Sequence, residues 1–261
     1  FKTNLNAPRG RVIEINLQNR DRKFWKEIIP QTADTMESAN ILNRQIIATY
    51  LKDAHAAVKI FDLNGALIYE LQLPGTGTVG GFSGKQNDTE TYFAFTSFAT
   101  PTQIYRYDLL NKKTSLLWAP KLNFNPDEYE TMQVFYKSKD GTQVPMFSNH
   151  KKGIEKNGLN KTYLYGYGGF NISLTPAFSL AALVWMELGG IYAVANLRGG
   201  GEYGEEWHQG GMKLKKQNVF DDFIAAAEWL IANKYTNSSR LAIQGGRNGG
   251  LLVGAALTQR P

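Results

Sequence analysis

Side chains alternate with a period of two along Val12-Ile-Glu-Ile-Asn-Leu and again along Tyr92-Phe-Ala-Phe-Thr-Ser-Phe. A period of two puts successive side chains on opposite faces of a pleated strand, so both stretches read as half-buried strands. Ile46 to Leu51, Val58 to Asp62, Leu67 to Leu73, Ile104 to Asp108 and Ser115 to Trp118 read as further strands. Asn64-Gly65 joins two of these runs with a hairpin dipeptide. No helical period competes before about residue 125. Short strands at this spacing predict a sandwich, a barrel or a propeller, and the pattern does not choose among them.

From about residue 126 the texture changes. Met132 to Tyr136 and Val144 to Phe147 flank Asp140-Gly141, a further hairpin signal. Strands and helices then alternate. Tyr163 to Tyr167 reads as a strand, Ala177 to Leu188 as a helix, and Ile191 to Leu197 as a fully apolar strand. Val219 to Tyr235 is the clearest helix, with Phe220, Phe223, Ile224, Ala227, Leu230 and Ile231 at three- and four-residue spacing. Leu241 to Gln244 is the next strand and Gly249 to Gln259 the next helix. This alternation predicts an α/β fold on a parallel sheet.

Composition narrows the chemistry. The 261 residues are 43% hydrophobic and 12% aromatic, enough for a substantial core. There is no cysteine, which excludes disulfides and thiolate nucleophiles. The three histidines, His55, His150 and His208, share no metal-ligand spacing, so no metal site is expected. The net charge is +6, and the densest basic run, Lys213-Leu-Lys-Lys216, reads as a solvated face rather than a nucleic-acid surface. No run is long and apolar enough for a membrane helix. The chain opens on Phe1-Lys-Thr-Asn and stops at Gln259-Arg-Pro, and both ends read as cut.

Two glycine clusters compete as functional motifs. Gly199 to Gly204 satisfies G-x-G-x-x-G after a buried strand, with Asp221 some way downstream, as a dinucleotide site would require. Glu205 and Glu206 would repel a pyrophosphate there. Trp207-His-Gln-Gly-Gly does not read as a helix start, and Asp221 is expected in the first turn of a helix, where it favours the dipole. No cofactor is therefore expected. The second cluster, Gly245-Gly-Arg-Asn-Gly-Gly250, lies between an apolar strand and an apolar helix. That is the shape of a nucleophile elbow, with Gly245, Gly249 and Gly250 allowing strand and helix to approach. The apex, however, is Arg247. An ordinary glycine-rich turn is the alternative.

Longer segments discriminate between them. Tyr165-Gly-Tyr-Gly-Gly-Phe-Asn-Ile-Ser, Ala193 to His208, Lys216-Gln-Asn-Val-Phe-Asp-Asp-Phe and Gly245 to Val253 closely resemble the prolyl oligopeptidase family. Phe95-Thr-Ser-Phe and Phe135 to Phe147 resemble it too. The resemblance implies a cytosolic serine peptidase, monomeric in its complete form, that cleaves short peptides after proline. It implies an α/β-hydrolase domain capped by a β-propeller. Residues 1–125 would then be the last part of the propeller, and residues 126–261 the first part of the catalytic domain.

Carried over by position, Arg247 stands where the family has its nucleophilic serine. Asn248 matches the backbone oxyanion donor, Tyr167 the hydroxyl oxyanion donor, and Phe170 an aromatic wall of the proline pocket. Without the resemblance, Tyr167 and Phe170 would read as core aromatics at a strand end. Arginine has no nucleophilic oxygen and stays protonated, so it cannot attack a carbonyl. The family's aspartate and histidine follow its serine, yet neither residue type occurs after position 247. Two readings follow. The chain is a piece of a genuine peptidase silenced at one position, or its parent is a pseudoenzyme that binds peptides in the cleft without cutting them.

Overall fold

The computed structural model describes all 261 residues and divides into two compact units. The first comprises Phe1–Ser97, Pro101–Lys121 and Tyr203–Glu205; the second comprises Phe98–Thr100, Leu122–Glu202 and Glu206–Pro261.

The first unit is built from antiparallel sheets. β1 (Lys2–Thr3), β2 (Arg11–Glu14) and β3 (Lys26–Ile29) form a three-stranded sheet. β4 (Thr35–Leu42), β5 (Gln45–Lys52), β6 (His55–Asp62) and β7 (Leu67–Leu71) form a four-stranded meander, as do β8 (Thr78–Ser83), β9 (Glu90–Thr96), β10 (Gln103–Asp108) and β11 (Lys113–Trp118). Each meander pairs only sequence neighbours, as a propeller blade does. One apolar cluster joins Val12 and Ile29 to Ile46, Tyr50 and Phe61. A second joins Leu42, Ile47 and Ile60 to Phe82, Phe93 and Tyr107. In β5, Ile46, Ala48 and Tyr50 join the first cluster and Ile47 the second, so both of its faces are buried.

The second unit holds one mixed sheet, ordered β12–β13–β15–β14–β16. β12 (Tyr129–Lys137) and β13 (Gln143–Lys151) are antiparallel, and β13 runs antiparallel to β15 (Ile191–Ala195). β14 (Thr162–Tyr165) is parallel to β15 and to β16 (Leu241–Gln244). The expected wholly parallel sheet is thus corrected to a mixed one, because the Asp140-Gly141 hairpin contributes two strands to the same sheet. Four helices accompany it: α1 (Leu180–Glu187), α2 (Glu205–Gln209), α3 (Gln217–Ala232) and α4 (Asn248–Gln259). Leu164, Ile191 and Ala193 pack with Phe223, Leu230, Leu252 and Ala256, which seats α3 and α4 on one sheet face. α1 instead buries Leu183 and Met186 with Tyr129 and Tyr192. No helix is long and apolar enough to cross a membrane.

The helix α3 differs from its sequence reading in an instructive way. It begins at Gln217, so Asp221 falls in the second turn rather than the first. Its buried residues are Val219, Asp222, Phe223, Ala226 and Leu230, whereas Ile231 is exposed. An aspartate therefore sits on the core face. It is buried against Arg198, whose Nε and Nη2 donate to its carboxylate at 2.7–3.2 Å and whose backbone N–H donates at 3.0 Å. The same guanidinium donates to Asp140 in the β12–β13 turn at 2.5 and 3.2 Å. Tyr136 of β12 closes the group by donating its hydroxyl to the Asp222 carbonyl at 2.9 Å.

One cation thus ties a hairpin, the segment after β15 and helix α3. Burial disfavours the charged guanidinium, but the hydrogen bonds it donates to Asp222 and Asp140 outweigh that and hold its pKa above the ordinary value. The Arg198 hydrogen bonds hold the Asp140 carboxyl well below the usual carboxylate range. A depressed carboxyl stabilises the fold above its unfolded pKa, near 3.9, and that contribution is lost as pH falls through the lower folded value. Asp222→Ala would leave a buried guanidinium half-paired and is expected to cost about 3–5 kcal/mol. Urea unfolding checks this; a loss under about 1 kcal/mol, the range of a solvent-exposed pair, would show that the pair is not a lock.

Candidate active site at the strand-to-helix turn

β16 ends at Gln244, and α4 begins four residues later at Asn248. So short a reversal needs backbone to meet backbone. A Cβ on Gly245 would lie 2.5–2.8 Å from the O, C and Cα of Gly249, and one on Gly249 would lie 2.8 Å from the Gly166 carbonyl oxygen. Only hydrogen fits at these two positions. Gly250 differs: nothing lies within 4 Å of a Cβ there, so its expected role in strand–helix approach is corrected.

Arg247 takes the apex with φ 52° and ψ −114°. The φ is positive, and the ψ lies far from the left-handed helical well, so the backbone is strained by about 1–3 kcal/mol. The turn closes with hydrogen bonds from Gly249 N to Gly246 O at 2.7 Å and from Gly250 N to Arg247 O at 2.9 Å. Arg247 is exposed, makes no capping hydrogen bond, and forms no ion pair.

The other candidates lie on the segment after β14. The strand stops at Tyr165 rather than running to Tyr167, and Gly166 to Phe170 form a loop. Its path is tightly turned: Gly168, Phe170 and Asn171 all have φ between 55° and 61°. Tyr167 is buried, whereas Phe170 is 74% exposed, a large ring presented to solvent. The loop meets the turn through Asn248, whose Nδ2 donates to the Tyr167 carbonyl at 2.7 Å. Gly169 passes so near that a Cβ there would be 2.5 Å from that same nitrogen. Arg247, Asn248, Tyr167 and Phe170 therefore lie on two segments joined side by side.

Lys216 escaped the sequence reading. It was expected on a solvated basic face, and Lys213 and Lys215 are indeed exposed. Lys216 is half-buried, and its Nζ donates to the Gly168 carbonyl at 2.7 Å. Burial holds its pKa below the ordinary lysine value. Only its place at the foot of a periodic helix could have drawn attention to it.

The Gly199–Gly204 loop is absorbed by its own chain. A Cβ on Gly199 would lie 2.6 Å from the Gly168 carbonyl, and those on Gly200 and Gly201 would lie 2.8 Å from the carbonyls of Ile172 and Asn171. Its glycines serve chain packing. A short helix, α2, does start at Glu205, contrary to expectation. The case against a phosphate cradle rests instead on these contacts.

An apex residue at a helix N-terminus, with backbone N–H groups beside it, can present one side chain and one oxyanion donor to a carbonyl. A mixed sheet bearing such a turn, in a chain that also carries four-stranded meanders, defines a hydrolase-type α/β domain accompanied by propeller-type blades. Comparison agrees. Residues 1–120 match the family model "Prolyl oligopeptidase, N-terminal beta-propeller domain", and residues 176–261 match "Prolyl oligopeptidase family". The chain belongs to the prolyl oligopeptidase family.

Over 99% of its length it is 49% identical to a prolyl endopeptidase of Elizabethkingia miricola, covering 37% of that protein. A solved prolyl endopeptidase superposes with a TM-score of 0.96 at 48% identity, over all of this chain and 39% of the other. An alanine mutant at a serine of prolyl oligopeptidase B from Galerina marginata, bound to a hydrolysis and macrocyclization substrate, superposes at 0.93 and 37% identity, over all of this chain and 37% of that one. The chain thus spans just over a third of the length of these relatives.

The two glycines separate by substitution. Gly245→Ala forces a methyl into backbone and is expected to lower the unfolding midpoint sharply. Gly250→Ala enters open space in a helix and is expected to stabilise by up to about 1 kcal/mol. Equal effects in thermal unfolding would contradict the close approach.

Proposed function

We propose that this chain is part of a serine-type endopeptidase that cleaves short peptides after proline, and that with Arg247 it does not cleave. One observation carries the reading: the strained apex between β16 and α4 holds arginine. A guanidinium has no nucleophilic oxygen and does not lose its proton in proteins. The names of the relatives support the reaction class. In this reading, residues 1–125 are the later part of a propeller and residues 126–261 the earlier part of a hydrolase domain. The Asn248 N–H and the Tyr167 hydroxyl are the oxyanion donors, and the exposed ring of Phe170 receives the proline. The complete enzyme acts as a cytoplasmic monomer and supplies the aspartate and histidine from sequence that follows.

A second reading rests on a different observation. The Arg247 guanidinium is exposed and makes no ion pair. Such a group can take a peptide carboxylate in bidentate fashion. The complete protein would then bind proline-containing peptides without cutting them.

The test uses the polypeptide extended to the length of its relatives, assayed on a fluorogenic peptide with proline before the scissile bond. Arg247→Ser is expected to raise turnover by about 10⁶, the scale of a lost triad serine. If both forms are silent, the binding reading gains and the peptidase reading falls. Turnover by the arginine form would show that the nucleophile lies elsewhere.

A further inference from the structure

We propose that Lys216 is a positioning residue that latches the Tyr167–Phe170 loop onto the head of α4, and so fixes the two oxyanion donors relative to each other. The inference rests on the reading of the site given above. Its physical basis is a three-membered network. Lys216 Nζ donates to the Gly168 carbonyl at 2.7 Å and lies 3.5 Å from Asn248 Oδ1, while Asn248 Nδ2 donates to the Tyr167 carbonyl at 2.7 Å. The ammonium has donors only, so it selects one orientation of the Asn248 amide, with oxygen toward lysine and nitrogen toward the loop. The reverse orientation would set donor against donor and oxygen against oxygen. The lysine therefore determines how the residue after the apex grips the loop.

Local electrostatics do not favour a lysine here. Lys216 occupies the N-cap of α3 and makes no capping hydrogen bond. A cation at a helix N-terminus is electrostatically disfavoured. The ammonium is also half-buried without a carboxylate partner. A residue that breaks local preference in this way marks a functional constraint. What it gains is two oxygens, one from each of the segments that carry the candidate donors. Backbone ties flank this point: the Gly166 N–H donates to the Gln244 carbonyl and the Ile172 N–H to the Gly169 carbonyl, both at 3.1 Å. The Asn171 N–H donates to the Gly199 carbonyl at 3.1 Å, beyond the residues in question.

The experiment is amide hydrogen exchange, read by mass spectrometry on the 261-residue chain, comparing wild type with Lys216→Met and Lys216→Arg. Methionine keeps the apolar stem and removes the donors. Faster exchange by about tenfold, confined to the segments 166–171 and 246–250, is expected for methionine, with substantial recovery for arginine. Unchanged exchange in those segments overturns the latch, whatever position 247 does in catalysis. Acceleration spread evenly over β12 to β16 also overturns it, because the lysine would then be a general stabiliser. In the extended polypeptide carrying Arg247→Ser, Lys216→Met is expected to lower kcat by about tenfold or more with KM nearly constant, the mark of a misplaced transition-state donor. A rise in KM alone overturns the positioning role. If Arg247→Ser restores no turnover while the exchange result holds, the peptidase reading fails and the latch stands as geometry.

Discussion

Backbone crowding between Gly245 and Gly249 is the constraint on which the candidate site depends. A strand can turn into a helix over four residues only if nothing larger than hydrogen separates the two backbones. Once they meet, the dihedrals of the residue between them are no longer free. Arg247 takes a positive φ because the ends of the turn are fixed, not because arginine tolerates it. The same closure starts α4 immediately after the apex and brings Gly249 against the end of β14. The loop that follows β14 then has one place to go, across the head of the helix, where Asn248 meets it.

Two cations organise the surroundings in different ways. Arg198 is nearly enclosed, and its planar fork is matched by carboxylates on two elements, so its charge is compensated where it lies. That pairing anchors α3 to the β12–β13 turn. Lys216, at the start of the same helix, has no carboxylate and meets uncharged oxygens instead. A compact ammonium held by carbonyls gives less stability than a bidentate pair, but it reaches the site. The first interaction fixes where α3 is, and the second uses that position to hold a loop.

Much of this was legible in the residues, and the failures have physical causes. β16, the turn and α4 were legible because apolar runs flank a glycine cluster whose spacing has few uses. Most blade strands were legible because apolar and β-branched residues alternate or run together between turn signals. β4 and β8 were not, since Thr35–Leu42 opens on a buried threonine and Thr78–Ser83 is interrupted by the exposed Gly80 and Gly81. The face of α3 was misjudged at Asp222, because hydrophobic periodicity cannot register a carboxylate that is buried by pairing with a distant arginine. The strand expected to reach Tyr167 ended at Tyr165 for a related reason: aromatic residues have high strand propensity, but their neighbours here are glycines that turn the chain. Lys216 was invisible as an individual, since the run around it does face solvent.

Strain usually survives at a functional residue because the chemistry there rewards it. At position 247 the strain persists in a residue that cannot supply a nucleophile. This is intelligible only if the conformation belongs to the turn rather than to the side chain. Gly245 and Gly249 impose it, and any residue placed between them inherits it. Exchanging the apex side chain then alters what the site can do without altering the shape that presents it. Where glycines hold such a turn, the apex side chain sets the chemistry available and the backbone carries no record of the change.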